Sequence, residues 1–223
     1  SRLIRAVLII YAARVLGASG YGIFSYALTL AGFFSIFADI GLTPFLTRES
    51  ARNIEKRNQY LGTALFIKFI FIIVSSLLIL FVVPLIARLP GTHELFYIII
   101  FLFAFDTLRD FFFGFIRSIE KMEIEAGTNI LTNVAVLIFG GSAIIFFPSI
   151  KALIIGYTIG SGIGLLAIII ILRNYLKNIW RYFDKTLVKP IITEAWPLAL
   201  AGLLGTIMIN TDMLILGWLR TAE

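Results

Sequence analysis

Seven apolar runs alternate with short polar connections along the chain, at about residues 1–17, 20–46, 61–86, 95–117, 124–147, 152–172 and 191–219. A helix needs about 20 apolar residues to cross about 30 Å of hydrocarbon, and most of these runs reach that length. Lipid offers no partner to backbone N–H and C=O groups, so a crossing segment must satisfy them internally. The runs are too long and too uniformly apolar for barrel strands. The pattern therefore predicts an all-α fold, a polytopic transmembrane helical bundle of about seven spans. Pro84, Pro90, Pro148 and Pro190 fall at or near run ends, where a missing N–H costs least. The first run is short for a span and the last stops at Leu219, so the chain reads as a piece of a longer protein.

Composition agrees with this class. Hydrophobic residues make up 60% of the chain and charged residues 14%, against about 25% charged in soluble domains. The net charge of +6 does not point to nucleic acid, because the basic residues sit in short loops between apolar runs. There is no cysteine and only one histidine, His93, so no thiolate or imidazole metal site can be assembled and no cofactor is expected.

The loop charges give an orientation. Arg2, Arg5, Arg48, Arg52, Lys56, Arg57, Arg117, Lys121, Arg173, Lys177, Arg181, Lys185 and Lys189 fall on one side, and only Arg88, Lys151 and Arg220 on the other. The positive-inside rule then puts the N-terminus in the cytoplasm. The segment 173–190 is distinctive, with a basic residue at every fourth position from Arg173 to Lys189 among Tyr175, Leu176, Ile179, Trp180, Tyr182, Phe183 and Leu187. It reads as a basic amphipathic helix on the cytoplasmic leaflet, or simply as a charged anchor, and in either case divides the chain into two parts.

Ionisable groups within the spans are the candidate chemistry, since each costs about 2.5–3.5 kcal/mol at mid-membrane on insertion scales. In the second run Ser25, Thr29, Gly32, Ser35, Asp39 and Thr43 share one third of the helix circumference, opposite Ile23, Leu30, Phe34 and Phe37. Such a face borders a polar cavity or makes tight helix contacts. The fourth run carries Asp106, Arg109 and Asp110. Asp106 can pair with Arg109 along the helix, while Asp110 calls for a cation elsewhere, and Lys68 in the third run is available. Asp39, Lys68, Asp106, Arg109 and Asp110 are expected to share one cluster inside the bundle. Thr128, Asn129, Thr132 and Asn133 form a further polar patch, and Gly156, Gly160 and Gly164 form a close-packing seam.

Ala13-Arg14-Val15-Leu16-Gly17-Ala18-Ser19-Gly20-Tyr21-Gly22, followed by Ala38-Asp39-Ile40-Gly41-Leu42 and Thr47-Arg48-Glu49, resembles the N-terminal signature of polysaccharide-type lipid-linked oligosaccharide flippases. Pro197-Leu198-Ala199-Leu200 and Asn210-Thr211-Asp212-Met213-Leu214-Ile215-Leu216-Gly217 look like that family's seventh helix, and Glu120-Lys121-Met122 matches its fourth-to-fifth connection in type. The resemblance, to part of the multidrug/oligosaccharidyl-lipid/polysaccharide exporter superfamily, implies a two-lobed transporter working by alternating access. Residues 1–172 would be the first six-helix lobe with a truncated first helix, 173–190 the connector, and 191–223 the opening helix of the second lobe. The implied substrate is a polyprenyl-pyrophosphate-linked oligosaccharide carried from the cytoplasmic to the outer leaflet of the cell membrane. Arg14, Arg48, Lys68 and Arg109 would face the pyrophosphate, with Asp39, Asp106 and Asp110 in the same cavity. Asp212 is a candidate for coupling to H+ or Na+. The other readings are a multidrug or cation exporter of the same superfamily, a membrane glycosyltransferase or polymerase using the same lipid carrier, or a purely structural or assembly membrane protein, which would not need Asp39 or Asp106. The very short outer loops disfavour an enzyme.

Overall fold

The structure, a computed structural model, describes residues 2–86 and 93–220; the side chains of 205–220 and a few others lie outside that description. All regular elements among the described residues are helical. They are α1 (Arg2–Asp39), α2 (Leu42–Arg52), α3 (Arg57–Ile86), α4 (His93–Ser118), α5 (Met122–Phe146), α6 (Ile150–Ile171), α7 (Arg173–Leu176), a 3₁₀ turn (Ile179–Tyr182) and α8 (Lys185–Arg220).

The helices follow the apolar runs closely, with two instructive departures. The first two runs join into α1, broken at Gly17, where φ 69 and ψ 178 leave the helical region. The second run was expected to continue to residue 46. It stops at Asp39 because Ile40 and Gly41 both take positive φ, and α2 sets off as a separate helix. Gly41 is needed there for a second reason. A Cβ at this position would lie 2.1 Å from the Ala195 carbonyl oxygen, so the turn is pressed directly onto the α8 backbone. Pro190, expected at a run end, instead lies inside α8 together with Pro197.

Among the described residues, three helical segments are both long and apolar enough to cross a membrane: Arg57–Phe81, Met122–Phe146 and Ile150–Ile171. This is fewer than the seven spans expected. α4 has the length, at 26 residues, but Asp106, Arg109 and Asp110 interrupt its apolarity. The outward surface of the three clear spans is greasy: Ile73, Val74 and Leu77 on α3, Ile138 and Ile145 on α5, and Leu166 and Ile170 on α6 are all exposed. Contiguous apolar surface of this kind requires an apolar surrounding.

Inside, α4 is the central element. It packs against α1, α2, α3, α5 and α6, and buries Ile99, Leu102, Phe103, Phe111 and Phe115 fully. α5 and α6 form the tightest pair, through the expected glycine seam. A Cβ on Gly156 would meet the Phe139 carbonyl oxygen at 2.5 Å, and one on Gly160 the Val136 backbone nitrogen at 2.6 Å. Close backbone approach of this type replaces the hydrophobic drive that lipid cannot supply. Ser149 caps α6, its hydroxyl accepting from the Ala152 N–H at 3.2 Å.

The segment 173–190 is not the single amphipathic helix its spacing predicts. α7 ends after one turn, and Asn178 takes the left-handed conformation (φ 61, ψ 27), which Asn tolerates better than most residues. Asp184 then caps α8, accepting from the Thr186 N–H at 2.8 Å and hydroxyl at 2.7 Å. These bonds hold its carboxyl below the usual carboxylate range. Their contribution is therefore present above that range and lost as pH falls through the lowered value. Tertiary contacts decide the break: Phe66 meets Phe183 with ring centroids 4.8 Å apart, Phe69 stacks on Trp180 at 6.4 Å, and Ile179 is buried. The segment is folded onto α3.

Glycines of the α5–α6 seam and its outer wall make a matched test. Gly160→Ala should destabilise the protein by roughly 1–3 kcal/mol, because Val136 backbone must move. Gly141→Ala, whose Cβ would meet nothing within 4 Å, should be neutral or stabilising by up to about 1 kcal/mol. Unfolding midpoints of the two variants in the same detergent measure the difference.

Candidate functional site

Of the polar face expected in the second run, Gly32, Ser35 and Asp39 on α1 and Thr43 on α2 line open cavities together with charged residues from α3 and α4, while Ser25 and Thr29 border neither. Lys68, 1% exposed, reaches across from α3 and places its Nζ 2.7 Å from Asp39 Oδ1. The Thr43 hydroxyl, at the start of α2, donates to the same carboxylate. A buried ammonium is tolerable only when paired and hydrogen-bonded, so this contact ties α1 and α2 to α3.

A second pair lies one helix away. Arg109 on α4 is 6% exposed in its side chain and contacts Asp106 Oδ1 at 2.8 Å, with Asp110 Oδ1 further off at 3.8 Å. Its Nη1 also donates to Ser161 Oγ on α6 at 3.2 Å, and Ser161 in turn donates to Asp106. Arg109 Nε and Thr107 Oγ1 are buried without a hydrogen-bond partner among the described residues. Phe111 and Phe113 lie 5.9 Å from the Lys68 ammonium and the Arg109 guanidinium, respectively.

Two adjoining cavities connect the pairs. One, of about 290 Å³, is bordered by Gly32, Ser35, Asp106, Thr107, Arg109 and Asp110, with Tyr157 from α6. The other, of about 260 Å³, is bordered by Ser35, Asp39, Thr43, Lys68, Thr107 and Asp110. Ser35, Thr107 and Asp110 are common to both. Asp39, Lys68, Asp106, Arg109 and Asp110 are thus gathered as the sequence predicted, with one change of partner. Lys68 pairs with Asp39, not Asp110, leaving Asp110 as the open carboxylate between the cavities. With every group ionised the set holds three negative and two positive charges.

The remaining candidates fall elsewhere. Arg48 borders neither cavity; on α2 it contacts the buried Glu49 at 2.9 Å and the exposed Glu194 of α8 at 2.7 Å. Arg14 is exposed on the first arm of α1 and borders neither cavity. Asp212 is on α8, among the side chains outside the described set. Thr128, Thr132, Asn129 and Asn133 bond along their own helix: the Thr132 hydroxyl donates to the Thr128 carbonyl and the Asn133 amide to the Asn129 carbonyl. Sequence reasoning missed Ser161, Thr107 and Tyr157. A hydroxyl beside Gly160 in an apolar span was the available signal for Ser161, hidden by the glycine repeat around it.

A helical bundle with lipid-compatible walls and ion pairs around open cavities between its helices defines the class: an α-helical integral membrane protein with a charged cleft. The family model for polysaccharide biosynthesis proteins matches residues 1–223, and the chain belongs to that family. No curated protein and no solved structure matches it.

The Lys68–Asp39 pair can be weighed directly. Lys68→Met leaves a carboxylate facing its lost partner and should destabilise; adding Asp39→Asn should recover part of the loss. A double-mutant cycle on unfolding free energies should return a coupling of roughly 1–3 kcal/mol. Additive single effects would mean that the pair contributes nothing.

Proposed function

We propose that the protein is a flippase that moves a polyprenyl-pyrophosphate-linked oligosaccharide from the cytoplasmic to the outer leaflet of the cell membrane by alternating access, in polysaccharide biosynthesis. In this reading the N-terminus is cytoplasmic, α1 and α4 also cross the bilayer, and residues 1–172 form one lobe, joined by 173–190 to a helix of the next. The observation that carries it is the pair of adjoining cavities at the α1–α3–α4 contact, lined by both buried cations. Family membership supports the polysaccharide side of the proposal. The protein is read as a transporter, not an enzyme.

The pairing pattern supplies the proposed coupling. Lys68 and Arg109 are each held by a carboxylate, so neither offers a free charge to a pyrophosphate. Binding of H+ or Na+ at Asp110 would remove the excess negative charge of the set, so that an anionic cargo no longer meets net repulsion there. Departure of that ion would restore the repulsion and expel the anion. Asp110 is the candidate for that ion within the cavities, and Asp212 the candidate on α8.

One observation favours a second reading. The excess of one negative charge suits a small organic cation, which a multidrug or cation exporter of the same superfamily would carry.

Full-length protein in proteoliposomes loaded with a labelled polyprenyl-pyrophosphate-linked sugar separates the two. The flippase reading expects the label to become accessible to an impermeant reagent on the far side, faster under a Na+ or proton gradient. Lys68→Ala and Arg109→Ala should each slow this by roughly tenfold or more, about 1.4 kcal/mol, in protein that still folds. Movement of a small organic cation without movement of the labelled lipid would replace the proposal with the exporter.

A further inference from the structure

Outside the cavities, one cluster of cations is built into the fold without counter-charges. The chain leaves α6 through Leu172 into the single turn of α7, which brings Arg173, Asn174 and Lys177 around a shallow cavity of about 540 Å³. Its floor is Ile169 and Leu176. Tyr175 packs edge-on against Phe115 of α4 with ring centroids 5.2 Å apart, and Leu176 is partly buried beside it. Those two contacts clamp one side of the turn to the bundle and turn Arg173, Asn174 and Lys177 outward, all three exposed. Two other basic residues at this end are engaged: Arg117 with Glu125, and Arg48 with Glu49 and Glu194. Among the described residues no acidic side chain lies within 4 Å of Arg173 or Lys177.

Depth is set by α6. Its 22 residues span about 33 Å, the hydrocarbon thickness, so the notch beyond its end lies at headgroup level. Below it, Leu166 and Ile170 are exposed, one and two turns back along the same face. Two unpaired cations and an amide therefore sit directly above an apolar strip that faces lipid.

We propose that the Arg173–Asn174–Lys177 notch binds the phosphate headgroup of an anionic phospholipid, one of whose acyl chains lies along Leu166 and Ile170. The guanidinium and ammonium take the phosphate oxygens by charge-assisted hydrogen bonds, and the Asn174 amide is placed to donate to the glycerol or headgroup oxygens. The apolar floor selects a lipid over a soluble anion, which gains nothing from Ile169 and Leu176. Twelve residues, about 18 Å of helix, separate Arg173 from Ser161 in the internal cluster, so the site is distinct from the cavities.

The test uses the full-length protein in nanodiscs of phosphatidylcholine containing a small fraction of phosphatidylglycerol, with native mass spectrometry counting retained lipids. Arg173→Gln/Lys177→Gln should weaken retention of phosphatidylglycerol by roughly 25-fold, about fivefold for each cation removed at the membrane surface. Lys185→Gln/Lys189→Gln removes the same charge from the same connector outside the notch, and should change retention by less than about twofold. The conservative Arg173→Lys should keep most of it, which separates loss of the site from loss of the fold. Equal losses in both double variants would reduce the effect to diffuse surface charge and overturn the proposal, as would no loss in either. Binding of inorganic phosphate alone to the notch, as tightly as the lipid and in pure phosphatidylcholine, would overturn it in favour of a soluble anion.

Discussion

The structure depends on one constraint: a charge carried into a low-dielectric interior must meet an opposite charge there. Lys68 and Arg109 enter the bundle, and their pairing with carboxylates at the edge of the cavities joins helices far apart in the chain. Lys68 with Asp39 ties α3 to the end of α1, and Thr43 brings the start of α2 to the same carboxylate. Arg109 with Asp106 is local to α4, but Ser161 bridges the two and fastens α6 to them. Each pair costs desolvation and recovers it only with good geometry and extra hydrogen bonds. The polar contacts therefore act more as a specification of which helices meet than as a source of net stability.

Around that cluster the packing problem is solved by two means. Large aromatic residues of α4 fill the centre, where five other helices converge. At the α5–α6 contact the opposite device is used, and glycines let two backbones approach within contact distance. The same removal of side chain at Gly41 allows the α1–α2 turn to sit on α8, next to the Arg48–Glu194 pair and the small apolar cluster of Leu42, Phe45, Ile67, Ile191 and Ala195. An exposed pair such as Arg48–Glu194 contributes at most about 1 kcal/mol. Its geometry still fixes where α8 departs, and α8 is the element that leads away from the first six apolar runs.

Much of this was legible in the chain. The helical class, the polar face of α1, the gathering of five charges and the glycine seam all follow from periodicity and from the cost of burying charge. What was not legible has specific causes. The break at Ile40–Gly41 is invisible in an apolar run, because hydropathy does not report backbone dihedrals. The connector looked like one amphipathic helix because its basic residues recur every fourth position. Asn178, the Asp184 cap and aromatic contacts with α3 override that spacing. Arg48 resembled a cavity cation by motif, yet its partners lie on α8.

The sequence by itself determined the solvent of this protein and the list of charges that must be neutralised, since both are properties of composition and of period along a single helix. Only the tertiary structure decided which carboxylate Lys68 takes, since the Arg109–Asp106 pair is already set by helix spacing. Asp39, not Asp110, is within reach of Lys68, and that single choice leaves Asp110 open between two cavities. Partner selection is a matter of ångströms between helices, and no one-dimensional pattern carries those distances.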